Sequence, residues 1–482
     1  MDQPNILLLV LDAVRPDHLS CYGYERNTSP AIDNLAESGI HYTNAFSTSN
    51  WTGAAHGALF TGKPPSVSGV YGNHLTLPEG QPTLPELLQD AGYTTFATSA
   101  GAHIRSDRGY DRGFDEFHRT HELTAHYGVI PSLAQDKRAS LEQILRFAIR
   151  GDSMKTHYKF KALQNAVERS EKPFFGFINA KTAHGPYRTT PEPYLSMYTE
   201  DSIRPDNHVF DILSRLSGSD PDTIDGVDYE TLESIVSKKP VAAGEMEPTE
   251  QQWNVVKAWY DSAIRYMDEK IGNLISSLEQ RGELENTWIL ITSDHGEFFG
   301  EHGLEKHIFS LYEPVLRIPL VVHGPDTEGS INDSLCTFTD LHATIRDLAG
   351  LSVPNDGYSR SVLPGNHPVG HEHIFAEVGR KEPEYVRENY TNFEDLRVNG
   401  PLQSVRDQTH KLITYPDGSV ELFDWLSDPH EQNDLSADKP AIVERLSTVI
   451  DDRLGQMDQS SHHEDEIQDP SVEKQLEYLG YK

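Results

Sequence analysis

NILLLVLDAVRPDHLS, residues 5–20, opens on an unbroken apolar run, Ile6–Leu11, and stops it on Asp12. An apolar run of that length between polar residues is the mark of a strand buried on both faces. Two further runs end the same way. KPFFGFINA (172–180) leads to His184, and TWILITSDHG (287–296) leads to Asp294 and His295. Between them lie helical patterns: TSPAIDNLAESG with its Gly39 stop, PTLPELLQDAG with Gly92, the long EQQWNVVKAWYDSAIRYMDEKIGNLISSLEQRG ending at Gly282, and TDLHATIRDLAGL after the strand VLRIPLVVHGP. Strands alternating with helices predict an α/β fold with a mostly parallel sheet flanked by helices. Ligands of such sheets bind at the C-terminal strand edge, so Asp12, His184 and Asp294 are expected to converge there.

A second stretch, STSNWTGAAHGALFTGKPPS (47–66), places Thr52 before small residues and then Leu59 and Phe60. A hydroxyl at a helix start sits where free N–H groups and the dipole stabilise an anion. A bound metal would lower its pKa and make it a nucleophile. The plainer alternative is that Thr52 or Ser49 caps the helix. Asp294–His295 offers a carboxylate and an imidazole from one strand end, a common pair of metal ligands; a capping Asp beside a surface His is its plain alternative.

The chain has 482 residues, too many for one ordinary core, so a large domain and a smaller one are expected. Residues 1–370 read as the catalytic domain, with 195–250 as an irregular insertion or lid. Residues 371–482 read as a smaller C-terminal α+β subdomain. In it a hairpin turns at PDG, KPAIVERLSTVIDDRLGQM forms a helix, and a loose tail holds HHEDE near His462. The 41 basic and 75 acidic residues leave a net charge of −34, which repels nucleic acid and anionic membrane. Such an excess is also the composition of proteins from salt-loving cells. Cys21 and Cys336 make no disulfide framework, and no apolar run reaches membrane-span length. The N-terminus has no signal-peptide pattern, so a cytoplasmic location is expected.

Together the motifs resemble the sulfatase family of the alkaline phosphatase superfamily. NILLLVLDAVRPDHLSCYGY is similar to its first strand and metal-binding Asp, and WTGAAHGALFTG to its nucleophile signature. GYDRGFDEF, FFGFINAKTAHGPY, ITSDHGEFFGEHG, HIFSLYEPVLRIPLVVHGP and ELFDWLSDPHEQNDL follow in family order. The resemblance implies an alkaline-phosphatase-like fold in which Asp12, Thr52, Asp294 and His295 hold one divalent metal, Ca²⁺, Mn²⁺ or Zn²⁺. It implies Thr52 as nucleophile, His184 and His307 around the transferred group, and His56 where the family keeps an arginine. Arg15 is expected near the site as a helper, and His103 as a pocket residue. His18 and His302 are expected at the surface or behind the ligands.

Family sulfatases oxidise a Cys or Ser to formylglycine. Thr52 carries a methyl on Cβ, so oxidation would yield only a ketone, and no formylglycine is expected. Other branches of the superfamily use an unmodified Thr or Ser on phosphorus. The expected function is therefore metal-dependent hydrolysis or transfer of phosphate mono- or diesters, on a small anionic ester, free or glycan-linked. Sulfate-ester hydrolysis on a sulfated glycan or small molecule is the alternative, and a non-catalytic glycan-binding protein a further one.

Overall fold

The structure, a computed structural model, describes residues 3–461 apart from 73, 100–102, 120–155, 171–172, 188–189, 192, 200–222, 238–239, 242–243, 308, 326, 365–369 and 380–399. Strand Asn5–Leu11 lies at the centre of a nine-stranded sheet. It pairs in parallel with Phe174–Ala180 on one side and Thr287–Thr292 on the other. Thr94–Ser99 and Glu116–Arg119 extend the first side, also in parallel. On the second side Arg317–His323 runs antiparallel to both its neighbours, Thr287–Thr292 and Ile40–Phe46. Among the described residues of 293–316 there is no helix long enough for a parallel crossover, so the chain returns from the edge at which it left. That return keeps the whole 293–316 segment at the C-terminal edge of the central strands.

The central strand is buried on both faces, as its continuous apolar run predicts. Leu7, Leu9 and Leu11 pack with Trp259, Ile264 and Met267 of helix Glu250–Gln280. Ile6, Leu8 and Val10 face the opposite layer, with Leu59, Phe60 and Leu341. Helix Thr52–Thr61 is built of small and apolar residues apart from Thr52, His56 and Thr61, and every residue in it is buried, as expected of a helix with no charged face. Helix Glu250–Gln280 starts at a Thr249–Gln252 capping box.

In the stretch read as irregular, the hairpin Thr223–Ile224/Val227–Asp228 leads into helix Tyr229–Ser237, which buries Leu232, Ile235 and Val236. Residues 200–222 of that stretch lie outside the described residues. Strands Ile374–Val378, Leu402–Arg406, His410–Thr414 and Val420–Asp424 form a separate antiparallel sheet. Helix Pro440–Ser461 covers it, with Leu446 and Ile450 against Val405, Leu412 and Leu422. The tail with His462 lies outside the described residues. Cys21 and Cys336 are both free thiols. No helix among the described residues is long and apolar enough to cross a membrane.

Candidate active site

Three adjacent parallel strands deliver the acidic and imidazole groups to one edge, as their sequence endings predict. Asp12 follows Leu11 and its backbone N–H donates to Ala180 O at 2.8 Å. Asp294 and His295 follow Thr292 on the neighbouring strand, and all three side chains are buried. One ligand atom from each of Asp12, Asp294 and His295 lies within 4.8 Å of the others. His295 Nε2 is 3.9 Å from Asp12 Oδ1 and 3.7 Å from Asp294 Oδ2. Its Nδ1 donates to Gly296 O at 2.9 Å, which fixes the tautomer and leaves Nε2 with its lone pair facing the carboxylates.

These residues fit a divalent cation. Asp12 Oδ1 and Asp294 Oδ2 are buried carboxylate oxygens without a hydrogen-bond partner among the described residues. Buried anionic oxygens are costly unless paired, and a cation between them would satisfy both. Burial alone would lower the His295 pKa, but the carboxylates of Asp294 and Asp12 outweigh it and raise it. A proton and a metal ion therefore compete for the same lone pair.

Thr52 heads its helix beside this cluster. The residue preceding the helix is Trp51, and no side chain caps the end. The capping alternative for Thr52 and Ser49 is thereby set aside. Thr52 Oγ1 instead lies 3.1 Å from His295 Nε2. The hydroxyl belongs to the acid–imidazole cluster and not to the helix terminus.

His184 and His307 close the other side. Their rings lie 4.8 Å apart between centroids, and His307 lies 4.5 Å from His295. His184 Nδ1 donates to Gly185 O at 2.8 Å, and His307 Nδ1 donates to Glu297 Oε1 at 3.0 Å. Each imidazole thus keeps Nε2 as a proton acceptor. Burial, then Lys181 and the neighbouring His307, push the His184 pKa well down. Burial and His295 lower that of His307 despite Glu297. Both rings are neutral near pH 7. Burial would raise the Glu297 pKa, yet the positive charge of His307 when protonated and the N–H that it donates, with His184 behind it, hold it low, so Glu297 stays a carboxylate.

Other candidates fall elsewhere. His56 is wholly buried one turn along from Thr52, between Phe177 and Phe338. Its Nδ1 donates to Thr52 O at 2.9 Å and lies 3.6 Å from Asp294 Oδ2, so it braces the site from within the core. Arg15 is not a free helper: it binds Asp17 at 2.6 Å, Glu301 at 2.7 Å and Glu297 O at 2.9 Å. His103 Nε2 accepts from Trp51 Nε1 at 3.2 Å, and its Nδ1 faces Arg108 Nη1 at 3.1 Å. His18 is buried and paired with Asp261 at 2.6 Å, not at the surface. His302 stacks on Tyr312 at 3.8 Å.

Sequence reasoning missed Glu297 and Lys306. Glu297 stood inside the quoted ITSDHGEFFGEHG motif, but its partner His307 comes from the far side of the return loop. Lys306 precedes His307 with φ 58° and is partly buried near Glu297 and Glu305. Burial lowers its pKa against the pull of those carboxylates.

Residues 4–351 match the sulfatase family, and residues 300–460 match the C-terminal region of N-sulphoglucosamine sulphohydrolase. The chain belongs to the sulfatase family, whose members are ester hydrolases. It is 24% identical to an N-acetylglucosamine-6-O-sulfatase of Bacteroides thetaiotaomicron, over 90% of this chain and 82% of that one. It is 25% identical to the iduronate 2-sulfatase of Mus musculus, over 76% and 71%. Among solved structures, the phosphonate monoester hydrolase of Agrobacterium radiobacter has the same fold, with a TM-score of 0.70, 21% identity and coverage of 95% and 96%.

Proposed function

We propose that this sulfatase-family chain hydrolyses phosphate mono- or diesters, or transfers their phosphoryl group, through unmodified Thr52. The observation that carries the reading is Thr52 Oγ1, unused as a cap and 3.1 Å from His295 Nε2, beside two buried carboxylate oxygens without a hydrogen-bond partner among the described residues. A divalent ion held by Asp12, Asp294 and His295 would supply charge for the ester oxygens and acidify the hydroxyl.

The chain's own residues do the rest. Thr52 Oγ1 forms a bond to phosphorus in line with the ester oxygen, whose bond breaks. The proton that Thr52 Oγ1 gives up passes into the imidazole cluster, whose His184 and His307 rings lie 4.8 Å apart, and His184 or His307 delivers a proton to the leaving alcohol. Glu297 orients His307 and stabilises its cationic form. Water then breaks the Thr52–phosphorus bond, or an acceptor alcohol takes the group. The Cβ methyl of Thr52 bars the aldehyde route, and the hydroxyl itself must attack.

Sulfate-ester hydrolysis on a glycan is the second reading. The names of the N-acetylglucosamine-6-O-sulfatase and iduronate 2-sulfatase relatives favour it. The fold is shared both with a phosphonate monoester hydrolase and with a 2-O GAG sulfatase, so the phosphorus reading rests on Thr52. The deciding experiment loads the protein with Mn²⁺, Zn²⁺ or Ca²⁺. It then compares p-nitrophenyl phosphate, bis(p-nitrophenyl) phosphate, p-nitrophenyl sulfate and 6-sulfated N-acetylglucosamine. Turnover of the phosphate esters should exceed that of the sulfates, and Thr52→Ala should lower kcat by roughly 10⁴-fold or more. Preferred sulfate turnover, or full activity in Thr52→Ala, would overturn the reading.

A further inference from the structure

Asp12 reaches the site through an unusual turn. The residue after it, Ala13, has φ 65°, in the left-handed region that a Cβ disfavours. Ala13 is wholly buried, and its N–H donates to Asp294 Oδ1 at 3.3 Å. The turn therefore touches both carboxylates of the site: it carries one and hydrogen-bonds the other.

What holds the turn comes from the opposite layer. Tyr260, on helix Glu250–Gln280, is wholly buried and packs against Tyr187 at 5.6 Å and Phe299 at 4.9 Å. Its hydroxyl donates to Ala13 O at 2.7 Å and accepts from the Arg15 N–H at 2.7 Å. A single phenol oxygen thus bridges the residues on either side of Val14. It satisfies two backbone groups that the left-handed turn removes from the sheet ladder. The packed rings around it leave the hydroxyl little freedom to swing away.

We infer that Tyr260 is a positioning residue for the divalent-ion site: its hydroxyl locks Ala13 in the left-handed turn that presents Asp12 and orients Asp294. The inference rests on the reading of Asp12, Asp294 and His295 as the ligands.

The test is metal binding, measured by calorimetry on the full chain after chelator treatment, with Mn²⁺, Zn²⁺ and Ca²⁺ titrated separately. Tyr260→Phe removes one oxygen and keeps the ring. It should weaken the Kd by roughly 10- to 100-fold, the usual cost of losing a group that orients a ligand, with the circular dichroism spectrum unchanged. Ala13→Gly in that background should recover most of the loss, because glycine takes positive φ without a clamp. Tyr266→Phe, a hydroxyl on the same helix, should leave the Kd alone. A role in helix packing alone would lower Tm without changing the Kd, and Ala13→Gly would rescue nothing; either result sinks the inference. Should Tyr260→Phe fail to fold, the Ala13→Gly/Tyr260→Phe double variant carries the test. Recovered folding with wild-type Kd supports the clamp, and a double variant that stays unfolded overturns it. If the wild-type protein takes up none of the three ions, both the inference and the metal reading fall. If it binds them and Tyr260→Phe binds equally well, only the inference falls.

Discussion

At the scale of the residue, the site turns on which polar atoms are already engaged. Thr52 Oγ1 does not cap its helix, which Trp51 precedes, and meets His295 Nε2 instead. Arg15, by contrast, spends its guanidinium on Asp17, Glu301 and a carbonyl, and so organises the loop that carries Glu297. Glu297 in turn aims His307, which predicts a kinetic signature. Glu297→Gln should lower kcat roughly 100-fold, within the range of a general acid–base contribution, while substrate KM moves much less. Steady-state kinetics on the preferred ester checks this, and an unchanged kcat would remove Glu297 from the mechanism. Asp12, Asp294 and His295 were legible because each follows a buried apolar run. Glu297 was not, because a carboxylate gains a role only from the imidazole it meets. The distance from Arg15 to Glu301, 286 residues along the chain, hides that pairing in the same way.

At the scale of the element, the helix that carries Thr52 is held by close contact along its length. A Cβ at Gly57 would stand 2.5 Å from Val70 Cβ. Gly57→Ala should therefore destabilise the protein by about 1–3 kcal/mol, seen as a lower Tm in thermal unfolding. At its far end, Gly62 takes φ 72° and the ring of His342 covers it. His342 Nδ1 donates to Leu59 O at 3.1 Å. Burial pushes the His342 pKa down from 6.5 to about 4, helped by Arg346. The unfolded chain thus binds this proton more readily than the fold. Stability contributed by neutral His342 is present above about pH 6.5 and is lost as pH falls towards 4. Denaturant titrations should show a slope of up to about 1.4 kcal/mol per pH unit in that window, flattened in His342→Gln. An equal slope in the variant would assign the acid sensitivity to other groups. The helix and its buried Leu59 and Phe60 were readable from the sequence, whereas the burial of its every residue was not.

At the scale of the molecule, the two sheets meet through buried charge. Glu313, from the return loop of the large sheet, is bound by Arg406 and by Lys411 at 3.1 Å, both from the C-terminal sheet. Lys411 also binds Glu431 at 2.5 Å, and Glu431 Oε2 accepts the Glu313 N–H. Arg406 lies over the ring of Phe46 at 3.8 Å. Lys411→Met would leave two buried carboxylates sharing one cation. It should cost about 3–5 kcal/mol, seen as a loss of cooperativity or an earlier transition in chemical unfolding. A cost below 1 kcal/mol would mean that the network relaxes without strain. The net charge of −34 adds a global expectation. Raising salt from 0.1 to 2 M should raise Tm, because screening relieves self-repulsion; a Tm independent of salt would count against a salt-adapted surface.

Read as a string of residues, the chain already specifies its α/β layering and the edge at which its chemistry gathers. Apolar runs of strand length must be buried, and a polar residue at their end must lie at the sheet's margin. Partner choice is another matter. The reversed strand Arg317–His323, the Glu297–His307 pair, the occupied Arg15 and the Tyr260 hydroxyl on Ala13 depend on segments far apart in sequence. Hydrogen-bond and charge pairing act over a few ångströms in space and carry no periodicity along the chain. Only the folded arrangement decides which of many acids, imidazoles and hydroxyls meet.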